Sequence, residues 1–189
     1  MRVKDDTKVN TIFEATTKLT SELGLSRLTM SSIAKKAKMA CGTLYIYFDS
    51  KEQLLNELYK HLLISGTLSL LPSIQHLPLK KQFFVIWSNV LKFRVSNSCE
   101  VIFMHQFRYS SFVSEETSNL DKQFLNFIKD LLDQGKEELI IKNMDNCLLV
   151  PLLYGYANTL ARQMAIDKVV LTDAIIEQSF HVCWDAIKS

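Results

Sequence analysis

An all-helical chain, with a small three-helix head on a larger helical body and about nine helices in all, is what this sequence predicts. Three observations carry that expectation. Gly and Pro are sparse, five and three among 189 residues, whereas strands joined by tight turns need many more of both. Apolar side chains recur at the i, i+3, i+4 spacing of a helix face through most of the chain. Nearly half of the residues, 48%, are apolar and 22% are charged, which provides a core and excludes a disordered chain.

Val9, Ile12, Phe13, Leu19 and Leu23 share one face of a first helix running roughly from Asp6 to Leu23, and Gly24 is its stop. Thr29 then caps a short second helix whose apolar positions are Ile33, Ala34 and Ala37. Lys38-Met39-Ala40 forms a tight turn, and a third short helix follows from Cys41 to Phe48. Asp49 interrupts it. Ser50-Lys51-Glu52-Gln53 reads as a capping box, the Ser50 hydroxyl and the Gln53 side chain taking exposed amide donors. Leu54, Leu55, Leu58 and Leu62 line a long fourth helix over residues 51–65 that connects head to body. The head is thus expected over residues 1–50 and the body over 51–189.

From Thr67 onward the pattern stays helical, with a break from Pro72 to Pro78. Helices are expected near Leu79 to Val95, Glu100 to Tyr109, Glu115 to Lys136, Asn146 to Met164 and Asp173 to Lys188. Ser110, Ser111 and Ser114 mark a loop, and Thr172 is the N-cap of the last helix. Pro151 falls just inside a helix and should kink it or push its start later.

Charge is unevenly placed. Overall the chain is +2, but residues 1–60 carry +3 and the remainder −1. Between Gly24 and Lys51, five cations (Arg27, Lys35, Lys36, Lys38, Lys51) face only Asp49, a plausible phosphate footprint. Cys41, Cys99, Cys147 and Cys183 form no CxxC pair, so reduced cysteines are expected, with no structural metal, disulfide framework or cofactor. No secretory signal precedes Lys8 and no apolar run is long enough to span a membrane, so a cytoplasmic protein is expected. An enzyme is not expected either: GxSxG, a Gly-rich phosphate loop and HExxH are all missing, and His61, His76, His105 and His181 stand apart from any catalytic constellation.

Thr29-Met30-Ser31-Ser32-Ile33-Ala34-Lys35-Lys36-Ala37, followed by Gly42-Thr43-Leu44-Tyr45-Ile46-Tyr47-Phe48-Asp49-Ser50-Lys51-Glu52-Gln53-Leu54, resembles the helix-turn-helix signature of TetR-family regulators. Ile33, Leu44 and Phe48 would form a miniature core, with Ala34 and Ala37 allowing a close helix crossing. Cys41, Thr43, Tyr45 and Tyr47 would face outward on a recognition helix. The resemblance implies backbone contacts from Thr29, Tyr45, Tyr47 and Lys51, and a double-stranded operator DNA site to which Ser31, Cys41 and Thr43 also belong. The family's usual Gly-Val-Ser turn is replaced by Lys38-Met39-Ala40. A left-handed lysine costs about 1–2 kcal/mol, so the turn is expected to differ slightly in shape, and Lys38 could repay this by reaching phosphate.

The same resemblance implies a ligand-binding and dimerisation body and a regulator, most simply a repressor, released from DNA by a small molecule. A ligand-independent or activating regulator is the alternative. Leu148, Leu149, Leu152, Leu153, Tyr156 and Leu160 make one broad apolar surface; Ile175, Ile176, Phe180, Cys183, Trp184 and Ile187 make another. Helices over 146–164 and 173–188 are therefore expected to pair with those of a second copy in a four-helix homodimer interface. Trp87, Phe103, His105, Phe107, Arg108, Phe127, Tyr154 and Asn158 are the candidates for a mostly apolar effector site, suited to a hydrophobic or amphipathic ligand.

Overall fold

A computed structural model describes residues 6–66 and 71–189, so the helical pattern expected from Thr67 begins outside the described residues. Among them the chain is helical in nine segments of seven residues or more. These are α1 (Asp6–Leu23), α2 (Met30–Lys36), α3 (Cys41–Tyr47), α4 (Lys51–Gly66), α6 (Leu79–Ser96), α7 (Ser98–Arg108), α8 (Glu115–Glu137), α9 (Asn146–Asp167) and α10 (Asp173–Ile187). A short turn of helix, α5 (Leu71–Ile74), lies within the expected proline break, and Leu25–Arg27 form a 3-10 turn. No described helix is long and apolar enough to cross a membrane.

The chain divides into two compact units, Met1–Leu63 with Ser98–Asn119, and Ile64–Asn97 with Leu120–Ser189. In the first unit, α1 packs against α2 and α7. Its apolar face buries Ile12, Phe13 and Leu19. Thr16 and Thr20 are also buried there, and their hydroxyls donate 2.8 Å bonds to the carbonyls of Ile12 and Thr16, so burial strands no polar group. Gly24 leaves the helix at φ +82°, a conformation that suits a residue without Cβ. The next amide, Leu25 N–H, donates to Gln106 Oε1 of α7 at 2.8 Å, which fixes the α1–α2 connection to α7.

The second unit is built around α6, α9 and α10. Phe83, Trp87 and Leu91 of α6 pack with Leu132 of α8, Ala157 and Ala161 of α9, and Ile176, Phe180 and Trp184 of α10. Trp87 satisfies its indole N–H on Ser179 Oγ at 3.0 Å, so a large aromatic is buried without an orphaned donor. Gly135 admits its neighbours closely, since an added Cβ would lie 2.6 Å from Ile141 Cδ1. Ile141 is held in turn by a short antiparallel bridge to Lys188.

Helix ends follow their caps. Asp145 accepts from Cys147 N at 2.7 Å and Thr172 from Ile175 N at 3.3 Å, as side-chain oxygens at N-caps should. Pro151 does not delay α9, which starts at Asn146. A proline there gives up the ladder bond to Cys147 O and crowds that carbonyl, a cost borne by a helix anchored by its Asp145 cap and by buried Leu149. The capping arrangement at α4 is shifted by one residue on one side. Gln53 N–H donates to Ser50 Oγ at 3.1 Å, while Gln53 Oε1 takes the amide of Asp49 rather than that of Ser50.

Candidate nucleic-acid interface

Helices α2 and α3 sit on a miniature core in which Ile33 and Leu44 are fully buried and Phe48 nearly so. Phe48 packs on Phe13 of α1 with ring centroids 5.8 Å apart, and Ala34 and Ala37 are buried where α2 passes α3. Thr29 caps α2 in a reciprocal box: its Oγ1 accepts from Ser32 N, and its own N–H donates to Ser32 Oγ, both at 3.1 Å. Buried apolar side chains and a capped start hold α2 in place, and α3 is carried with it.

The turn keeps a standard helix-ending geometry despite its sequence. Lys38 adopts φ +56°. Lys38 N donates to Lys35 O at 3.2 Å and Met39 N to Ala34 O at 2.9 Å, the pair of bonds of a Schellman motif. Lys38 thus takes the left-handed conformation itself, held there by two capping bonds. Replacing this residue with glycine should relieve the strain. Lys38→Gly is expected to raise stability by about 1 kcal/mol in urea unfolding. If Lys38 also reaches phosphate, the same variant should bind operator more weakly, with a salt slope about one unit shallower.

Among the predicted DNA residues, Thr29, Ser31, Lys38 and Tyr45 are exposed, whereas Cys41, Thr43, Tyr47 and Lys51 are half-buried. All eight lie in the first unit, on α2, the turn, α3 and the first residue of α4. Ala40, at the N-cap of α3, gives no side-chain cap, in keeping with the missing serine. Lys51 is restrained more than its surface position suggests. Its Nζ donates to Leu28 O at 3.2 Å and lies 4.4 Å from the centroid of the Phe112 ring.

Two residues of α3 escaped the sequence reading. Ile46 is 65% exposed, a large apolar side chain pointing away from the core. The signal was its place outside the Leu44–Phe48 spacing. Gly42 has no heavy atom within 4 Å of where a Cβ would stand, so nothing inside the chain requires glycine there.

The eight ligand candidates are divided between the units. Phe103, His105, Phe107 and Arg108 belong to the first, Trp87, Phe127, Tyr154 and Asn158 to the second. Phe103 and Phe107 are fully buried and stack at 5.5 Å, and Tyr59 of α4 packs on Phe107 at 5.0 Å. His105 is exposed and stacks edge-on with Tyr109, while Arg108 is half-buried. In the second unit Trp87 stacks on Tyr156 at 5.4 Å, and the Arg94 guanidinium lies 4.8 Å over the Tyr154 ring. Phe127 and Asn158 are half-buried. Gln106, on the helix of four of these candidates, is committed to Leu25. A groove of about 530 Å³ in the first unit is lined by Ser50, Asn56, Lys60, Phe112 and Glu116 among others, and by none of the eight.

Asn56 at this groove was not anticipated. It is buried and makes four hydrogen bonds. Its Nδ2 donates to Glu52 O and Phe112 O, each at 2.8 Å; its Oδ1 accepts from Ser114 N at 2.9 Å and Thr117 Oγ1 at 2.7 Å. Lys60 beside it bridges Glu57 at 2.7 Å and Glu116 at 3.1 Å, and the bond to Glu57 raises its pKa above the ordinary lysine value despite some opposing desolvation.

Comparison with known proteins places this geometry. Residues 12–58 match the family model described as bacterial regulatory proteins, tetR family, and residues 78–188 match that of the tetracyclin repressor-like C-terminal domain. The chain is 27% identical over 180 residues, 94% of both proteins, to an uncharacterized HTH-type transcriptional regulator of Haemophilus influenzae. It is 25% identical over 177 residues, 90% of this chain and 86% of the other, to the fatty acid metabolism regulator protein of Bacillus subtilis. The crystal structure of a TetR family transcription regulator from Marinobacter aquaeolei superimposes with a TM-score of 0.85 at 25% identity, covering 100% of both chains.

Proposed function

Because the chain belongs to the TetR family of helix-turn-helix transcriptional regulators, we propose that it is a homodimeric repressor released from operator DNA by a small hydrophobic or amphipathic ligand. The observation that carries the DNA-binding part is the seating of α3. Leu44 and Phe48 anchor it inward while Tyr45 and Ile46 stand out toward solvent, the arrangement a major-groove reader needs. Thr29, Ser31, Lys38, Tyr47 and Lys51 supply hydroxyls and charge for phosphates on either side of it, with Cys41 and Thr43 at its entry.

For the dimer, support comes from α9, which leaves Leu148 and Leu152 exposed, and from Val182 on α10; of the expected surfaces, Leu149 on α9 and Ile176, Phe180, Cys183, Trp184 and Ile187 on α10 are instead buried in the protomer's own core. For the ligand, it comes from the match of residues 78–188 to the tetracyclin repressor-like C-terminal domain; Trp87, Phe127, Tyr154 and Asn158 of the second unit are its candidate residues, whereas Phe103 and Phe107 are spent on the packing of the first unit. The fatty acid role named for the Bacillus subtilis relative favours an effector with a long apolar part. Such a ligand need favour the DNA-incompetent arrangement by only about 1–3 kcal/mol to change operator affinity roughly 5- to 150-fold.

The test is fluorescence anisotropy of the purified protein on a duplex it selects from random-sequence DNA, with and without long-chain acyl compounds. Lys51→Ala and Tyr47→Ala are each expected to weaken binding about tenfold, and Lys51→Ala to make the salt slope about one unit shallower. Binding that is equal on unrelated DNA and indifferent to both substitutions would defeat the DNA-binding reading. Operator binding untouched by every acyl compound would defeat the proposed effector class and favour a ligand-independent regulator.

A further inference from the structure

We propose that Phe112, in the loop between α7 and α8, is a positioning residue for DNA binding. Its ring presets the Lys51 ammonium for a DNA phosphate. The inference rests on the reading that Lys51 faces DNA, and it assigns a role to a residue 61 positions away in a segment with no helix-turn-helix signature.

Lys51 is the first residue of α4. An ammonium on a four-carbon stem has three donors and wide rotamer freedom. Here that freedom is restricted from two sides. One donor reaches Leu28 O at 3.2 Å, next to the Thr29 cap of α2. The Phe112 ring lies 4.4 Å away, within the distance at which a cation is drawn to the ring's negative face. Neither partner is an anion, so the charge stays available, and the head group stays at the junction of α2 and α4.

Phe112 is itself held. Its carbonyl accepts from Asn56 Nδ2 at 2.8 Å and its amide donates to Ser110 Oγ at 3.3 Å. Ser114 N and Thr117 Oγ1 close on Asn56 Oδ1 from the far side of the loop. Asn56 stands on α4, as Lys51 does, so ring and ammonium share one scaffold. A cation already placed loses little freedom when phosphate arrives, which is how preorganisation raises affinity.

The experiment is a double-mutant cycle on the full-length protein, read as operator affinity by anisotropy on the selected duplex, with thermal unfolding of each variant as a folding control. Phe112→Leu is expected to weaken binding about three- to tenfold. Phe112→Tyr keeps the ring face and should restore wild-type affinity. In the Lys51→Ala background, Phe112→Leu should add no further loss. The proposal is overturned if Phe112→Leu leaves affinity unchanged, if it costs as much with Lys51 absent as with Lys51 present, or if Phe112→Tyr is as damaging as Phe112→Leu. If Lys51→Ala alone changes neither affinity nor salt slope, the reading of Lys51 as a DNA contact falls first and takes the proposal with it.

Discussion

Leu148→Glu combined with Leu152→Glu is expected to leave a folded monomer that binds operator at least about a hundredfold more weakly than the wild type. The two leucines lie one helical turn apart on α9, 56% and 40% exposed, and Val182 on α10 is exposed too. Fully burying a leucine is worth about 1.5–3 kcal/mol, so a second copy laid over these side chains gains what the single chain forgoes. Glutamates at the same places reverse the sign, because an unpaired carboxylate at a closing interface costs several kcal/mol. The protomer itself should survive, since neither leucine belongs to its buried core. Once the copies separate, the second half-site contact is no longer intramolecular, and the effective-concentration gain of roughly 10²–10⁴ disappears. Sedimentation velocity reads the mass and anisotropy reads the affinity. A variant that stays dimeric and binds like the wild type would place the interface elsewhere.

The DNA-facing half was more legible than the rest because its signals are local. Gly24, Thr29 and Ser50 each act on backbone groups within a few residues, so periodicity and caps placed α1 to α4 to within a residue or two. The left-handed turn could be anticipated from the family pattern, but not that Lys38 would accept the strain; that depends on the bonds from Met39 and Lys38 back into α2. What no local pattern could reveal is which distant segment packs on which. Helix α7 gives its apolar side to the first unit, where Phe103 and Phe107 are stacked and buried. Those two side chains and the effector candidates of the second unit look alike in sequence. Gln106 carries no local signal of its partner, yet it caps a backbone amide 81 residues away. Nothing in the sequence sets Phe112 apart from the other aromatics, and its place beside Lys51 rests on three hydrogen bonds between Asn56 and the 112–117 segment that need the folded loop to exist.

Asn56→Leu is expected to cost about 2–3 kcal/mol of stability in urea unfolding, and to weaken operator binding as Phe112→Leu does. Leucine has as many side-chain heavy atoms as asparagine and is bulkier, so the loss is not a cavity. It is the stranding of Phe112 O and Ser114 N, together with the loss of one of the two partners of the fully buried Thr117 hydroxyl, whose other partner is Ser114 Oγ. An unsatisfied buried group costs about 1–3 kcal/mol. The open groove at this site lets water recover part of that sum. Asn56→Asp separates the polar network from side-chain size. It keeps the acceptor for Ser114 and Thr117 but turns a second oxygen toward the carbonyls of Glu52 and Phe112, which asparagine had satisfied as a donor. Burial and those carbonyls should raise the new carboxyl's pKa in the folded protein above its unfolded value of about 3.9. Its protonated form is therefore the one the fold tolerates, so the deficit relative to wild type should be small below pH 4 and grow as pH rises through the raised pKa. A deficit that is flat between pH 4 and 8 would mean that the loop does not depend on the donors of Asn56, and that its hold on Phe112 lies elsewhere.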